Sequence, residues 1–241
     1  MKSKKTHNKL TKRETILVWI SITLLILLIS SVLYFYFFKY DNCTNENPAI
    51  DNPFIYTEKK PILYLYPKKD KTKVTITFKK PELLKTTYPK FKDKWEVTAN
   101  KNGDLTDENG NYYYALYWEE KIKTKINFEE GYYVTKDNAI EFLEEKLKYI
   151  GLNDKERNEF IMYWLPVLEK NKKSIVHFEL TEERQKYNEM TIKPEPDSLL
   201  RLNMHVKKVD KKPKKLEKQK LYNFKRKGFV VVEWGGTIHK Q

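Results

Sequence analysis

The sequence predicts an α+β protein: a single-pass N-terminal transmembrane helix, then a mainly antiparallel-sheet domain carrying an inserted helical hairpin. Three observations lead there. Thr15 to Phe38 is a 24-residue stretch without one charged residue. Strand-like segments precede and follow a central pair of helical patterns, the order of an α+β domain. The formal net charge of +14 is concentrated at two places: residues 1–14 contribute five of those charges and residues 207–227 the other nine.

The uncharged stretch is rich in Ile, Leu, Val, Phe and Tyr, and as a helix it reaches about 36 Å against a hydrocarbon core of about 30 Å. Tyr34 to Phe38 and Tyr40 crowd its C-terminal end and Trp19 lies near the other, as interfacial aromatics do. A cleaved signal peptide is the competing reading. Its apolar core is shorter and ends at a small-x-small site, whereas here the run continues past Ser30-Ser31 with no Ala-x-Ala after it. A lipoprotein needs small residues before its cysteine, and Cys43 follows Tyr40-Asp41-Asn42. Lys2, Lys4, Lys5, Lys9, Lys12 and Arg13 precede the run, so the positive-inside rule leaves residues 1–14 cytoplasmic and the C-terminal part extracytoplasmic, at the cell membrane.

Residues 39–59, with several Asn and Pro, read as a polar stalk, and 60–241 as one extracytoplasmic domain. The lone Cys43 reads as a tolerated stalk residue, with an intermolecular disulfide as the alternative. Asn42-Cys43-Thr44 fits a glycosylation sequon formally. Strands are predicted at Ile62–Tyr66, Lys73–Phe78, Tyr112–Trp118, Lys123–Phe128, Ser174–Leu180, Leu199–Val206 and Phe229–Trp234, where β-branched and aromatic residues gather. Asn102-Gly103-Asp104 and Asn109-Gly110-Asn111 mark turns. The first helix starts at Asp137, carries Ile140, Leu143, Leu147 and Ile150 on one stripe, and stops at Gly151. The second has Asn153 as N-cap and Glu156 at N3, with Phe160, Ile161, Trp164, Leu165 and Leu168 on one face. Pro166 is expected to kink or end it.

A series of motifs runs through the domain: Lys60-Pro61-Ile62-Leu63-Tyr64-Leu65-Tyr66-Pro67, Tyr88-Pro89, Trp95-Glu96-Val97-Thr98-Ala99 and Asn102-Gly103-Asp104-Leu105-Thr106. It continues with Leu116-Tyr117-Trp118-Glu119, Tyr163-Trp164-Leu165-Pro166, Pro194-Glu195-Pro196-Asp197 and Val232-Glu233-Trp234-Gly235-Gly236. The series resembles an uncharacterised family of predicted secreted or membrane-anchored bacterial proteins, mostly of low-GC organisms. The resemblance implies a bacterial origin and a single domain over about residues 60–236, and carries over no catalytic residue.

Chemistry is sparse. One cysteine excludes a disulfide scaffold, and no Gly-x-Ser-x-Gly occurs. No phosphate-cradling glycine loop and no metal-ligand spacing is found, so neither cofactor nor metal is expected. His7 and His239 read as solvated. Alternation places His177, Glu179, Arg201 and His205 on the polar faces of two strands, either as a site or, more simply, as a solvated outer face. The strongest enzyme-like signal is a pair of carboxylates beside tryptophans, Glu119 and Glu233, which would suit an envelope glycan hydrolase; strand-rim positions give the same pattern.

The other departure is the basic segment joining the last two predicted strands, which reads as a long hairpin. Lys207, Lys208, Lys211, Lys212, Lys214, Lys215, Lys218, Lys220, Lys225, Arg226 and Lys227 could face an anionic lipid or wall polymer. Lysine outnumbers arginine 42 to 5, which also fits lysine as exposed filler. Nucleic acid is excluded as a partner by the exterior location and the scarcity of arginine. The expectation is an envelope-binding or protein-interaction module, the latter docking on another envelope protein, rather than an enzyme. The alternative is the envelope glycan hydrolase using Glu119 and Glu233, with a purely structural ectodomain as a third reading.

Overall fold

A computed structural model describes residues 12–44 and 55–239. The chain forms two units, Met1–Asn52 and Pro53–Gln241. In the first, α1 spans Lys12–Thr44. Leu17, Leu24, Leu27 and Leu28 are all more than half exposed on it. Among the described residues no helix is long and apolar enough to cross a membrane. The crossing expected over Thr15–Phe38 therefore rests on the sequence alone. Lys2, Lys4, Lys5, His7 and Lys9 lie outside the described residues, as do 45–54 of the expected stalk. The ends of that stalk belong to regular structure, since α1 runs through Thr44 and the next strand opens at Ile55.

The second unit is a three-layer α+β fold. Its strands are β1 (Ile55–Tyr66), β2 (Thr72–Phe78), β3 (Leu84–Tyr88), β4 (Trp95–Ala99), β5 (Leu105–Thr106), β6 (Tyr112–Tyr113) and β7 (Leu116–Lys123). They continue with β8 (Glu130–Thr135), β9 (Lys173–Glu179), β10 (Met190–Lys193), β11 (Ser198–Lys208), β12 (Glu217–Lys218) and β13 (Val230–His239). Three helices complete it: α2 (Ala139–Ile150), α3 (Asp154–Asn171) and the short α4 (Thr181–Gln185). An eight-stranded sheet runs in the order β12-β8-β9-β11-β13-β1-β7-β3, and a five-stranded one in the order β10-β2-β4-β5-β6. All pairings are antiparallel except β11 with β13 and β8 with β12.

Side-chain alternation gives the large sheet two covered faces. Tyr64, Phe178, Leu202, Met204, Val232 and Trp234 point to one side and are sealed by Leu143, Leu147, Phe160, Trp164 and Leu168 of the α2–α3 pair. Leu63, Leu65, Leu116, Trp118 and Val231 point to the other and meet Val74, Ile76, Trp95, Val97 and Ile192 of the small sheet. The helical hairpin is built as its sequence predicts. Gly151 ends α2 in the left-handed region at φ 116, and Asn153 and Glu156 form a reciprocal capping box on α3. Two details differ. Ile140 is 55% exposed, and Ala139 takes its place in the buried stripe. Pro166 neither ends nor breaks α3, because it lies on the exposed side, where water can satisfy the carbonyl it frees at the equally exposed Met162.

Strand expectations held where periodicity was strong and failed at junctions. Tyr112–Trp118 is divided between the two sheets, with Tyr114-Ala115 as the crossing point. Lys123–Phe128 is not a strand: β7 ends at Lys123, and the Phe128 ring instead packs on His239 at 4.9 Å. The basic segment is not a hairpin, since the strands it joins are parallel neighbours and need a crossover.

Gly235-Gly236 has a packing role on each face. A Cβ at Gly235 would sit 2.8 Å from Glu58 Oε1, and one at Gly236 would sit 2.2 Å from the Trp164 ring. Gly236→Ala is expected to cost about 2–3 kcal/mol in urea unfolding. Gly110→Ala, where a Cβ meets nothing but φ is +79°, is expected to cost only about 1 kcal/mol.

Candidate functional site

The half of the large sheet that faces away from the helices and lies beyond the small sheet is not apolar. Glu120 of β7, Glu58 of β1, Glu233, Thr237 and His239 of β13, Arg201, Asn203 and His205 of β11, and His177 and Glu179 of β9 form a continuous polar layer, all of it buried. Register places them together: Glu58 opposes Glu120, Arg201 opposes Glu233, Asn203 opposes Glu179, and His205 opposes His177. The solvated face expected for His177, Glu179, Arg201 and His205 is thus a closed interior. It is covered by α4 and the turn after it, which bring Arg184, Tyr187 and Asn188 down onto the sheet.

Glu233 sits between two guanidiniums. Arg184 donates to its Oε1 at 2.6 Å, and Arg201 Nε donates to its Oε2. Arg184 also donates to Glu58 Oε2 at 2.9 Å. Arg201 reaches Gln185 Oε1 at 2.7 Å and Asn188 Oδ1 at 3.1 Å, and Asn188 in turn donates to Glu120. Burial opposes ionisation of Glu233, but Arg201 and Arg184 outweigh it and hold this carboxyl below its ordinary range. Glu58 goes the other way: burial pushes it well above the ordinary range, and Arg184 only partly offsets that. Glu120 is also raised, chiefly by burial. Two arginines therefore face Glu233 and Glu179, whose carboxyls are held low, beside Glu58 and Glu120, whose carboxyls burial pushes up.

A second chain of contacts starts at Glu179. Tyr187 donates to it, and His205 Nε2 lies 3.2 Å from its Oε2. A carboxylate only accepts, so His205 donates at Nε2 and accepts at Nδ1 from His239 Nε2, 2.9 Å away. Burial lowers both histidines, and for His239 the value falls to about 3. The expectation that His239 is solvated is overturned: it closes β13 beneath Tyr56 and Phe128. Glu58 Oε1, Arg184 Nε and Asn203 Oδ1 keep no hydrogen-bond partner among the described residues. The cavity beside Glu120, Tyr187 and Asn188 is only about 10 Å³, room for at most one water.

Glu119 and Glu233 do not meet. Glu233 opposes Leu63, which opposes Leu116, so Leu116, Trp118 and Glu120 share its face of the sheet while Glu119 lies on the other. There Glu119 stands 3.7 Å from Lys59. A paired-carboxylate mechanism through these two residues is excluded by the alternation of β7. The carboxylates that do gather around Glu233 are Glu58 and Glu120. Neither carried a sequence signal beyond being a charged residue in a strand-like run, and Arg184 lay in a segment with no predicted element.

The basic residues follow the crossover from β11 to β13. Lys208, Lys211, Lys212, Lys214, Lys215, Lys218, Lys220, Lys225 and Lys227 are exposed, whereas Lys207 and Arg226 are half-buried. Lys207 lies over the Phe128 ring, and Arg226 makes a bidentate pair with the buried Glu156 at 2.9 and 3.0 Å, so these two are committed within the fold. The crossover is pinned at both ends and through its second half, at Val209, Glu217, Gln219, Phe224 and Lys227. Gln219 brackets Phe178 N and O, Phe224 N bonds Ile150 O at 2.9 Å, and Ser198 exchanges hydrogen bonds with Lys227.

Because burial already favours the neutral form of Glu58, Glu58→Gln should change unfolding free energy at pH 7 by less than about 1 kcal/mol. Glu233→Gln, which leaves two guanidiniums short of a charge, should cost about 3–5 kcal/mol. The histidines add a pH slope. A group whose pKa is depressed on folding loses its contribution as pH falls below its unfolded value. Lowering pH from 8 to 5 should therefore remove about 2 kcal/mol through His239 alone, and His239→Gln should flatten that part of a denaturant-unfolding series.

No protein-family model matches the chain, and no solved structure matches it. One curated relative is an uncharacterised protein of the bglA 3′ region of Butyrivibrio fibrisolvens, 44% identical over 62 residues. The match takes in 25% of this chain and 64% of that protein, less than two thirds of its length. The chain is therefore similar to an uncharacterised protein of a low-GC bacterium, a likeness that says nothing of secretion or anchoring.

Proposed function

We propose that this chain is a membrane-anchored, extracytoplasmic binding protein that uses the β11–β13 crossover as an electrostatic contact with phosphate-bearing envelope surfaces. The observation that carries the reading is the exposure of nine lysines on one connection whose backbone is held in place at Gln219, Phe224 and Lys227. No ion pair among the described residues engages any of these nine except through the long-range influence of Lys218 on Glu145. A cluster of exposed ammoniums attracts anions without needing specific geometry. The anchor is supported by the uncharged run Thr15–Phe38, by the basic residues ahead of it, and by the exposed apolar side chains of α1, which need an apolar surrounding.

Full-length protein should be retained on polyphosphate-coated beads and released between about 50 and about 500 mM salt, as screening by ions requires. Replacing Lys211, Lys212, Lys214 and Lys215 by Gln should lower the salt needed for release without moving the unfolding midpoint. Equal retention of that variant would remove the crossover from the account, and equal retention on uncharged beads would remove the electrostatic contact altogether.

A further inference from the structure

A different surface carries a second site. The row of the large sheet that begins under α3 at Trp234 continues through Ile62 and Tyr117 to Tyr88 on the edge strand β3. Trp234 is fully covered by the helices, with the Phe160 ring at 5.2 Å, but α3 does not reach the far end of the row. What remains is an open shelf of about 440 Å³, floored by Ile62, Ala115 and Tyr117. Its rim is formed by Tyr88, Tyr112 and Tyr114, which are 63%, 60% and 45% exposed. Three aromatic rings so open on one concavity are unusual for a surface with no partner.

The rings are held before any ligand arrives. Tyr112 donates its hydroxyl to Asp104 at 2.7 Å, Tyr113 donates to Asp107 at 3.1 Å, and Tyr88 packs edge-on against Tyr113 at 5.5 Å. Asp104 and Asp107 accept from tyrosine hydroxyls, Lys155 also lies near enough to Asp104 to lower its carboxyl, and Glu119 borders Tyr117 and Tyr163, which leaves Lys60 as the charged side chain that lines the shelf. Lys60 Nζ hangs over the rings of Tyr117 and Tyr163 at 5.7 and 5.6 Å, and Lys155 lies 4.3 Å over Tyr114; neither belongs to an ion pair among the described residues. Lys60 also holds a left-handed backbone at φ 58, immediately before Pro61, inside the register shift of β1. A non-glycine residue in that region costs about 1–3 kcal/mol, and such strain and such bulges gather where a side chain is aimed at a task.

We propose that this shelf binds an acidic sugar chain. A uronic-acid ring lays its C–H face on a tyrosine ring, directs hydroxyls to the tyrosine edges, and sets its carboxylate against the Lys60 ammonium. Flat amphipathic rings with one unneutralised cation match that ligand in both apolar and charged character. A proline-rich peptide would also stack on aromatics, but would leave Lys60 without a counter-charge. The site is independent of the membrane anchor and of the basic crossover.

The test is calorimetric titration of the full-length chain, in a sugar-free detergent, with tetragalacturonate, with the same oligomer after reduction of its carboxyls to alcohols, and with decaproline. Saturable binding of the acidic oligomer is expected, about tenfold tighter than the reduced one. Tyr112→Ala and Tyr114→Ala should each weaken it about fivefold. Lys60→Gln should weaken the acidic oligomer and leave the reduced one unchanged. The four-lysine crossover variant should bind like the parent, which separates this site from the anionic contact proposed above. Both tyrosines are exposed, so an unchanged thermal midpoint verifies folding, and Tyr114→Phe should restore most of the affinity as a second check. The proposal is overturned by no saturable heat with tetragalacturonate, by equal affinity in the tyrosine variants, by equal affinity for the reduced oligomer, by loss in the crossover variant instead, or by binding of decaproline alone.

Discussion

Glu233, clasped by Arg184 and Arg201, is the interaction on which the α+β unit turns. Its strand is parallel to β11 and antiparallel to β1, so the carboxylate ties three neighbouring strands to one helix through a pair of guanidiniums. Burying two arginines and several carboxylates gains little net stability over a well-packed apolar layer, because desolvation consumes most of the attraction. What the arrangement supplies is uniqueness. Shifting β13 against β11 by one residue would move Glu233 to the helix side of the sheet, into an apolar core, and leave two arginines unpaired.

That constraint explains the architecture around it. A sheet with helices on one side and a second sheet on part of the other still exposes a strip, and here the strip is filled by α4 and its arginine rather than by more apolar residues. The glycines at 235 and 236 fit the same logic, one admitting Glu58 to the charged layer and the other admitting Trp164 to the core. Since β11 and β13 are parallel, the chain must cross over between them, and the basic segment is that crossover. Its lysines are exposed because its few buried side chains, Gln219 above all, are spent on fastening it.

Much of the fold was legible in the sequence, and the unread parts have physical reasons. The helical hairpin announced itself through Asn153, Glu156 and Gly151, since capping chemistry is local. Strands with strong alternation, such as those carrying His177 and His205, were readable as strands, but alternation cannot say whether a polar face meets water or another layer. That depended on Arg184, brought in by a five-residue helix with no periodicity of its own. The parallel pairing of the last two long strands was hidden for a similar reason, because a connection of that length serves a loose hairpin or a crossover equally. Tyr112 and Tyr114 lay in a predicted strand and Tyr88 in the Tyr88-Pro89 motif, yet their convergence follows from the chain changing sheets at Tyr114-Ala115, which no local pattern encodes.

The domain therefore combines a sealed, charge-balanced interior with two outward features, a tyrosine shelf and a lysine-bearing crossover. The carboxylates that converge around Glu233 are held in contacts with Arg184 and Asn188, while Glu119 stands on the opposite face of the sheet. The most direct measurement of the central claim is a ¹³C NMR titration of the glutamate side-chain carboxyl carbons in the full-length chain. Glu58 should keep the protonated chemical shift to well above the ordinary carboxylate range, while Glu233 stays ionised to below it. Both carboxyls titrating together at an ordinary value would contradict a closed, charge-balanced layer.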